Sequence, residues 1–198
     1  MTNSIINTKF NTLFLSCIIY LSCISDIHAA DEDSTAATAA YELPVLLTSA
    51  GQAADVLIMK GLCRKAGLAV TIQKSATADS IAAFKTIILV AGGSSKGLGA
   101  AKIDVGDEED RIESMLKAAR KAKIPVLVFH IGGEARRGAL SDPFNKLAAK
   151  GGTMIIVASD GDEDDMFKKI AKKNKAEYRH IKKSFESIGV LKELFGLE

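Results

Sequence analysis

Beyond about residue 41 the chain alternates between short aliphatic runs and longer stretches whose apolar residues recur at a helical spacing. Five runs stand out: Val45 to Thr48, Val70 to Gln73, Thr86 to Val90, Val126 to His130 and Met154 to Ala158. Most carry apolar side chains on both sides of an extended backbone, the pattern of parallel strands covered by helices on both faces. Helices are predicted near Ala54 to Ala66, Asp79 to Phe84, Glu108 to Ala122, Pro143 to Lys150, Glu163 to Lys173 and Ser184 to Phe195. The helix from Glu108 has the fullest signature. Asp107 stands ready to cap it, acids fill its first turn, Ile112, Met115, Leu116 and Ala119 form its apolar stripe, and Lys121 and Lys123 lie near its carboxyl end. Gly97 to Gly106 reads instead as a continuing loop. The expected architecture is a single three-layer α/β domain over residues 41–198, with a doubly wound parallel sheet of about five strands. Strand and helix alternate regularly, so the crossovers are right-handed. The expected strand order is 2-1-3-4-5, flavodoxin-like or Rossmann-like.

The first thirty residues follow a different pattern. Lys9 lies in a short polar start, Leu13 to Ile24 is apolar, and Ala29 and Ala30 supply small residues at the end. This is the plan of a secretory signal peptide cut after Ala29 or Ala30, and it predicts an exported protein, periplasmic or secreted. Ser16 and Ser22 interrupt the apolar stretch, which is shorter than the roughly 20 residues of a membrane-spanning helix, so no stable span is expected after signal removal. Leu21-Ser22-Cys23 leaves lipoprotein anchoring through Cys23 as an alternative. Asp31 to Ala40 has no apolar periodicity and is expected to be a linker. Loss of Cys17 and Cys23 with the signal leaves only Cys63, hence no internal disulfide; set among apolar helix neighbours, Cys63 reads as a core residue. Charge adds one exclusion. Twenty-six Lys and Arg against 24 Asp and Glu give no basic excess of the kind sequence-independent nucleic-acid binding uses, so no nucleic-acid partner is expected.

Ligands of open parallel sheets bind beyond the carboxyl ends of the strands, which directs attention to the loops there. They are rich in glycine. Ser49, Gly51 and Gln52 follow the first strand, and Gly92, Gly93, Ser94, Ser95, Lys96 and Gly97 follow the third. His130, Gly132, Gly133, Arg136 and Arg137 close the fourth strand and its loop. Glycine lets backbone amides approach an anion, and the cations add charge, so these residues form a candidate site for a small anionic molecule. The competing reading is that the glycines make tight turns and the arginines are solvated.

Other motifs fall short of what their chemistry requires. ILVAGGSSKGLGAA, with Gly93, Gly97 and Gly99, resembles the nucleotide loop of short-chain dehydrogenases, and Tyr178 and Lys182 imitate that family's Tyr-x-x-x-Lys. That loop belongs after the first strand, whereas this one follows the third, so no nicotinamide cofactor is expected. Thr48 to Ala53 stands where a flavodoxin holds flavin phosphate, yet it has Ala where hydroxyls are needed. No cofactor is expected at all. Gly93 to Gly97 also satisfies G-x-S-x-G, with Asp160 and His180 following in hydrolase order, but the elbow requires a helix straight after the turn. Asp160, Asp162 and Asp164 alternate like a calcium loop that lacks its glycine and its final Glu, so no metal is expected. His130 ends a buried strand and reads equally as a hydrogen-bonded core residue.

LPVLLTSAGQ, GGSSKGLGAAKID and IPVLVFHIGGEARRGALSDPF together resemble an uncharacterised family of exported bacterial proteins known only as a domain of unknown function. The likeness runs from about Glu42 to Phe195 and implies an α/β fold and export, with no established activity. The leading expectation is a non-enzymatic binding module for a small anion, since no complete catalytic set converges. The alternatives are a small hydrolase using Ser95 with His130 or His180 as base, and a protein-interaction domain.

Overall fold

The computed structural model describes residues 40–198. The predicted signal peptide with Cys23, and all but the last residue of the predicted linker, lie outside the described residues.

Six parallel strands make one sheet: β1 (Val45–Ala50), β2 (Val70–Ile72), β3 (Thr86–Ala91), β4 (Val126–His130), β5 (Met154–Ala158) and β6 (Glu177–Ile181). Their order is β2-β1-β3-β4-β5-β6, the expected 2-1-3-4-5 arrangement with one more strand at its far edge. The central strands are apolar on both sides because both sides are covered. On one face, Leu46, Ile87, Leu89, Val128, Ile155 and Val157 pack under the helices between β3 and β6; on the other, Leu47, Ile88, Val90, Leu127, Phe129 and Ile156 pack under the first and last helices. β6 is the exception. Its run Glu-Tyr-Arg-His-Ile buries only Ile181 fully, because an edge strand has one neighbour and less cover.

The helices are α1 (Asp55–Lys65), α2 (Ser95–Ala101), α3 (Val105–Ala122), α4 (Ser141–Gly151), α5 (Met166–Asn174) and α6 (Ser187–Phe195). Short 3-10 helices at Ala78–Ala83, Gly133–Arg136 and Ser184–Glu186 complete the described elements. Two expectations need correction. Residues 97–106 are not a continuing loop: α2 starts directly after the turn, its Gly97 amide capped by the Ser94 hydroxyl, and α3 begins at Val105. The cap of α3 is accordingly Asp104, which forms a reciprocal capping box with Asp107. Glu108 lies in the first turn, as expected, but on the inner face, fully buried. Among the described residues no helix is long and apolar enough to cross a membrane.

Candidate functional site

The chain leaves β1 toward β2 and returns through β3 toward the opposite edge, so the topological switch point lies between the loops after β1 and β3. These loops are joined to each other. Gly92 donates to Ala50, Ser94 donates to Gly51, and Gln52 and Gly93 form an isolated antiparallel bridge. α2 seats directly on this junction because Gly97 has no side chain; a Cβ there would collide with the Gln52 carbonyl.

Beneath the junction is a polar cluster that sequence reasoning missed. Glu108, fully buried, accepts from the Gly51 amide at 2.8 Å and from Gln52 Nε2 at 3.1 Å. Arg111, one turn on, pairs with the same carboxylate at 2.7 Å and donates to the carbonyls of Ala76 and Ser49, both at 2.6 Å. A buried carboxylate survives here because its oxygens meet an amide, a side-chain amide and a guanidinium. The available sequence signal is Glu and Arg three apart on one helix face.

The glycine-rich loops converge at the switch point, but five of their amides are already engaged. Gly51 gives its proton to Glu108, Gly92 to Ala50, Gly93 to the Ser141 hydroxyl at 3.1 Å, Ser94 to Gly51, and Gly97 to Ser94. They hold the loops together and do not form an open cradle. Ser49 and His130 are fully buried, so neither reaches solvent. His130 Nδ1 lies 3.1 Å from the Ala91 carbonyl and Nε2 lies 3.1 Å from that of Gly133, while its ring meets Phe167 at 4.8 Å. Burial lowers its pKa, against the pull of those two carbonyls.

The neighbouring arginines do different work. Arg137 donates to Asp142 at 2.8 Å, to Asp164 at 2.9 Å and to the Gly161 carbonyl at 2.7 Å, and its guanidinium stands 5.7 Å from the centre of the Phe167 ring. Its whole donor fork is spent tying the β4 loop to the β5 loop. Arg136 instead crosses Gly132 and Gly92, either of which would crowd it with a Cβ, and its Nε meets Asp55 at 2.5 Å at the start of α1. Among the described residues its two terminal nitrogens have no protein partner, and 31% of the side chain is exposed at the switch point.

With this geometry in view, the comparisons are specific about family and silent about role. Residues 42–195 match the family described as a domain of unknown function, DUF6305. The chain belongs to that family. Among curated proteins, none matches in sequence. Similar solved structures include a GDSL-like lipase from Bacteroides thetaiotaomicron, 13% identical with a TM-score of 0.32 over 69% of this chain and 66% of that one. Another is a serine-to-alanine mutant of the esterase AlinE4, 12% identical with a TM-score of 0.29 over 68% and 72%. Neither likeness assigns a role to any residue of this DUF6305 domain.

The remaining candidates separate in space. Ser95 and Lys96 are exposed at the start of α2. His180 lies on β6, three strands from β3 and so roughly 14 Å across the sheet, with Nε2 2.7 Å from the Ser159 carbonyl. Asp160 accepts from the Glu134 amide, and Asp162 from the amides of Phe167 and Lys168 and from the Tyr178 hydroxyl. Among the described residues no group of three or more His, Cys, Asp or Glu is arranged to hold a metal. Cys63 is buried, and burial pushes its thiol up to about 12, which keeps it protonated and inert.

Proposed function

We propose that this domain binds a small anionic molecule at the switch point between the β1 and β3 loops, with Arg136 as its anchor and no chemistry performed on the ligand. Arg136 carries the reading. Asp55 fixes the guanidinium by its Nε edge, two glycines seat its stem, and the terminal nitrogens remain to grip a carboxylate or phosphate. Rigid junctions beneath it, Glu108 to Gly51 and Gly93 to Ser141, favour binding by keeping the seat preorganised.

Arg137 leaves the proposed site, because its donors are consumed internally. The test is a thermal-shift screen of residues 40–198 against anionic metabolites, followed by calorimetry of any hit. Arg136→Ala is expected to weaken binding by about 1.5 to 3 kcal/mol, or roughly 10- to 100-fold. Unchanged affinity sinks the proposal.

A hydrolase reading keeps one specific observation in its favour: Ser95 is the first residue of a helix that starts directly after the β3 turn, as a nucleophile elbow requires. It lacks a base. Both His130 nitrogens face backbone carbonyls, and His180 is three strands away. Labelling of Ser95 by a fluorophosphonate would reverse the ranking.

A further inference from the structure

The near-neutral total of charge conceals a strong separation. Acids occupy the first turns of α1, α3 and α4 at the carboxyl edge of the sheet, whereas Arg64, Lys65, Arg120, Lys121, Lys150, Lys172 and Lys173 end α1, α3, α4 and α5 at the amino edge. Complementing the helix dipoles accounts for part of this. It does not account for the shape of the surface there.

Three adjoining cavities, of about 480, 460 and 630 Å³, run along the amino edge and the flank of α3. The first two share Lys123, Ile124 and Pro125; the last two share Arg120, Lys150 and Gly151. They form one groove. Lys85, Lys117, Arg120, Lys123 and Lys150 line it, faced by only two carboxylates, Glu42 and Glu113, and the central cavity has no acid at all. None of these five cations enters an ion pair among the described residues, in contrast to Arg111, Arg136, Arg137 and Arg179.

We propose that this groove docks an acidic polypeptide segment of a partner protein. The lining decides the class. Between the cations lie apolar walls from Tyr41, Phe84, Pro125, Leu116 and Leu147, which suit carboxylates alternating with apolar side chains along an extended chain. The neutral polar groups of the central cavity are already used: Thr153 exchanges hydrogen bonds with the Val126 backbone, and Asn174 donates to the Lys150 carbonyl. A glycan would find few partners for its hydroxyls, and a concave groove is a poor match for a flat lipid surface. The proposal concerns the edge opposite Arg136 and does not depend on the anion site there.

The test is fluorescence anisotropy of the full chain with a fluorescein-labelled peptide of Glu-Glu-Phe repeats at low ionic strength. Saturable binding is expected, weakening as salt rises. The double variant Arg120→Glu/Lys150→Glu should lose at least tenfold in affinity, and Lys117→Glu, on an exposed helix face, should lose a smaller factor. Lys60→Glu/Arg64→Glu, which reverses charge at a separate cavity beside α1 and β2, should bind as the parent does. Circular dichroism melts confirm that each variant is folded. Absence of binding, equal loss in the Lys60/Arg64 control, or unchanged affinity in both groove variants overturns the proposal. Tighter binding of tripolyphosphate, or of phosphatidylglycerol vesicles, at the same residues also overturns the peptide assignment.

Discussion

Two arginine-centred clamps tie down the carboxyl edge of the sheet, and they differ chiefly in burial. Under the β1 and β3 loops, Arg111 faces a carboxylate with no solvent exposure and is itself only 10% exposed. Under the β4 and β5 loops, Arg137 is similarly covered, but its partners Asp142 and Asp164 are 22% and 60% exposed. The same chemistry therefore has different consequences. A partner that water can reach is rehydrated when the pair is broken, whereas Glu108 or Arg111 left alone would carry an uncompensated charge inside the protein. The clamp at the switch point is thus the costlier of the two to break.

The sharpest way to break this comparison is to remove Glu108. Glu108→Ala strands the Arg111 guanidinium, the Gly51 amide and the Gln52 side chain together, and a loss of about 3 to 5 kcal/mol is expected in denaturant unfolding. Glu108→Gln keeps the shape and an acceptor and should lose less. A loss below that of Arg137→Ala would invert the proposed ranking of the two clamps.

Arg137→Ala comes second. It frees two partly hydrated carboxylates and leaves the Gly161 carbonyl without its donor, for an expected loss of about 2 to 3 kcal/mol. Proteolysis of this variant should begin in the β4 or β5 loops, since these are the segments the guanidinium holds together.

How much of this was visible in the sequence depends on whether a feature is local. Val126–His130 and Met154–Ala158 were legible to the residue, because a strand buried on both faces is an uninterrupted apolar run with polar ends. β6 was not, because an edge strand with one fully buried residue has no such run. α2 was hidden by Gly97 and Gly99, poor helix formers; Gly97 is needed because the helix presses there against the Gln52 carbonyl, while the space at Gly99 is open. The location of the candidate site followed from the topology rule alone. Its saturation did not: Gly93 finds Ser141 and Gly51 finds Glu108 across 48 and 57 residues of sequence, distances at which no periodicity speaks. Nor does the sequence separate two adjacent arginines, whose roles are set by which carboxylates the fold delivers to them.

Acid separates the clamps by a different route. Hydrogen bonding to Arg137 holds Asp164 down at about 2, and although burial works to raise Asp142, the same guanidinium keeps it below its ordinary value. Their stabilisation is complete above the unfolded value near 4 and is lost as pH falls through the folded one. His130 acts earlier: burial lowers its folded pKa, so stability is full above about 6.5 and declines below it as the unfolded chain takes up a proton. The wild type should therefore lose stability in two stages on acidification, the second worth about 1 kcal/mol once screening at exposed Asp164 is allowed for. Arg137→Ala should shrink the second stage, leaving the part due to Glu193, which Arg179 holds low, and should slightly reduce the first, since the Arg137 charge helps lower His130; chemical denaturation at a series of pH values reads both. A single stage in the wild type, or a second stage undiminished in the variant, would detach Arg137 from the acid response.

The smallest expected loss from a substitution concerns Arg136, and it bears most directly on function. If its terminal nitrogens are held outward for a ligand, deleting it should cost the fold less than deleting Arg137. Asp55 loses its partner and is itself only 8% exposed, so a cost remains; the helix dipole offsets part of it, because Asp55 stands in the first turn of α1, where a carboxylate is favoured. Arg136→Ala should thus lower stability by about 1 to 2 kcal/mol, less than Arg137→Ala, which breaks bonds to two carboxylates and a carbonyl. Lysine is the more telling replacement: it retains the charge but lacks the planar fork, so Arg136→Lys should fold normally and still weaken a bidentate ligand. Denaturant melts of Arg136→Ala and Arg137→Ala measured side by side decide the matter. A loss at Arg136 equal to that at Arg137 would make both arginines structural clamps and leave the switch point without an anchor.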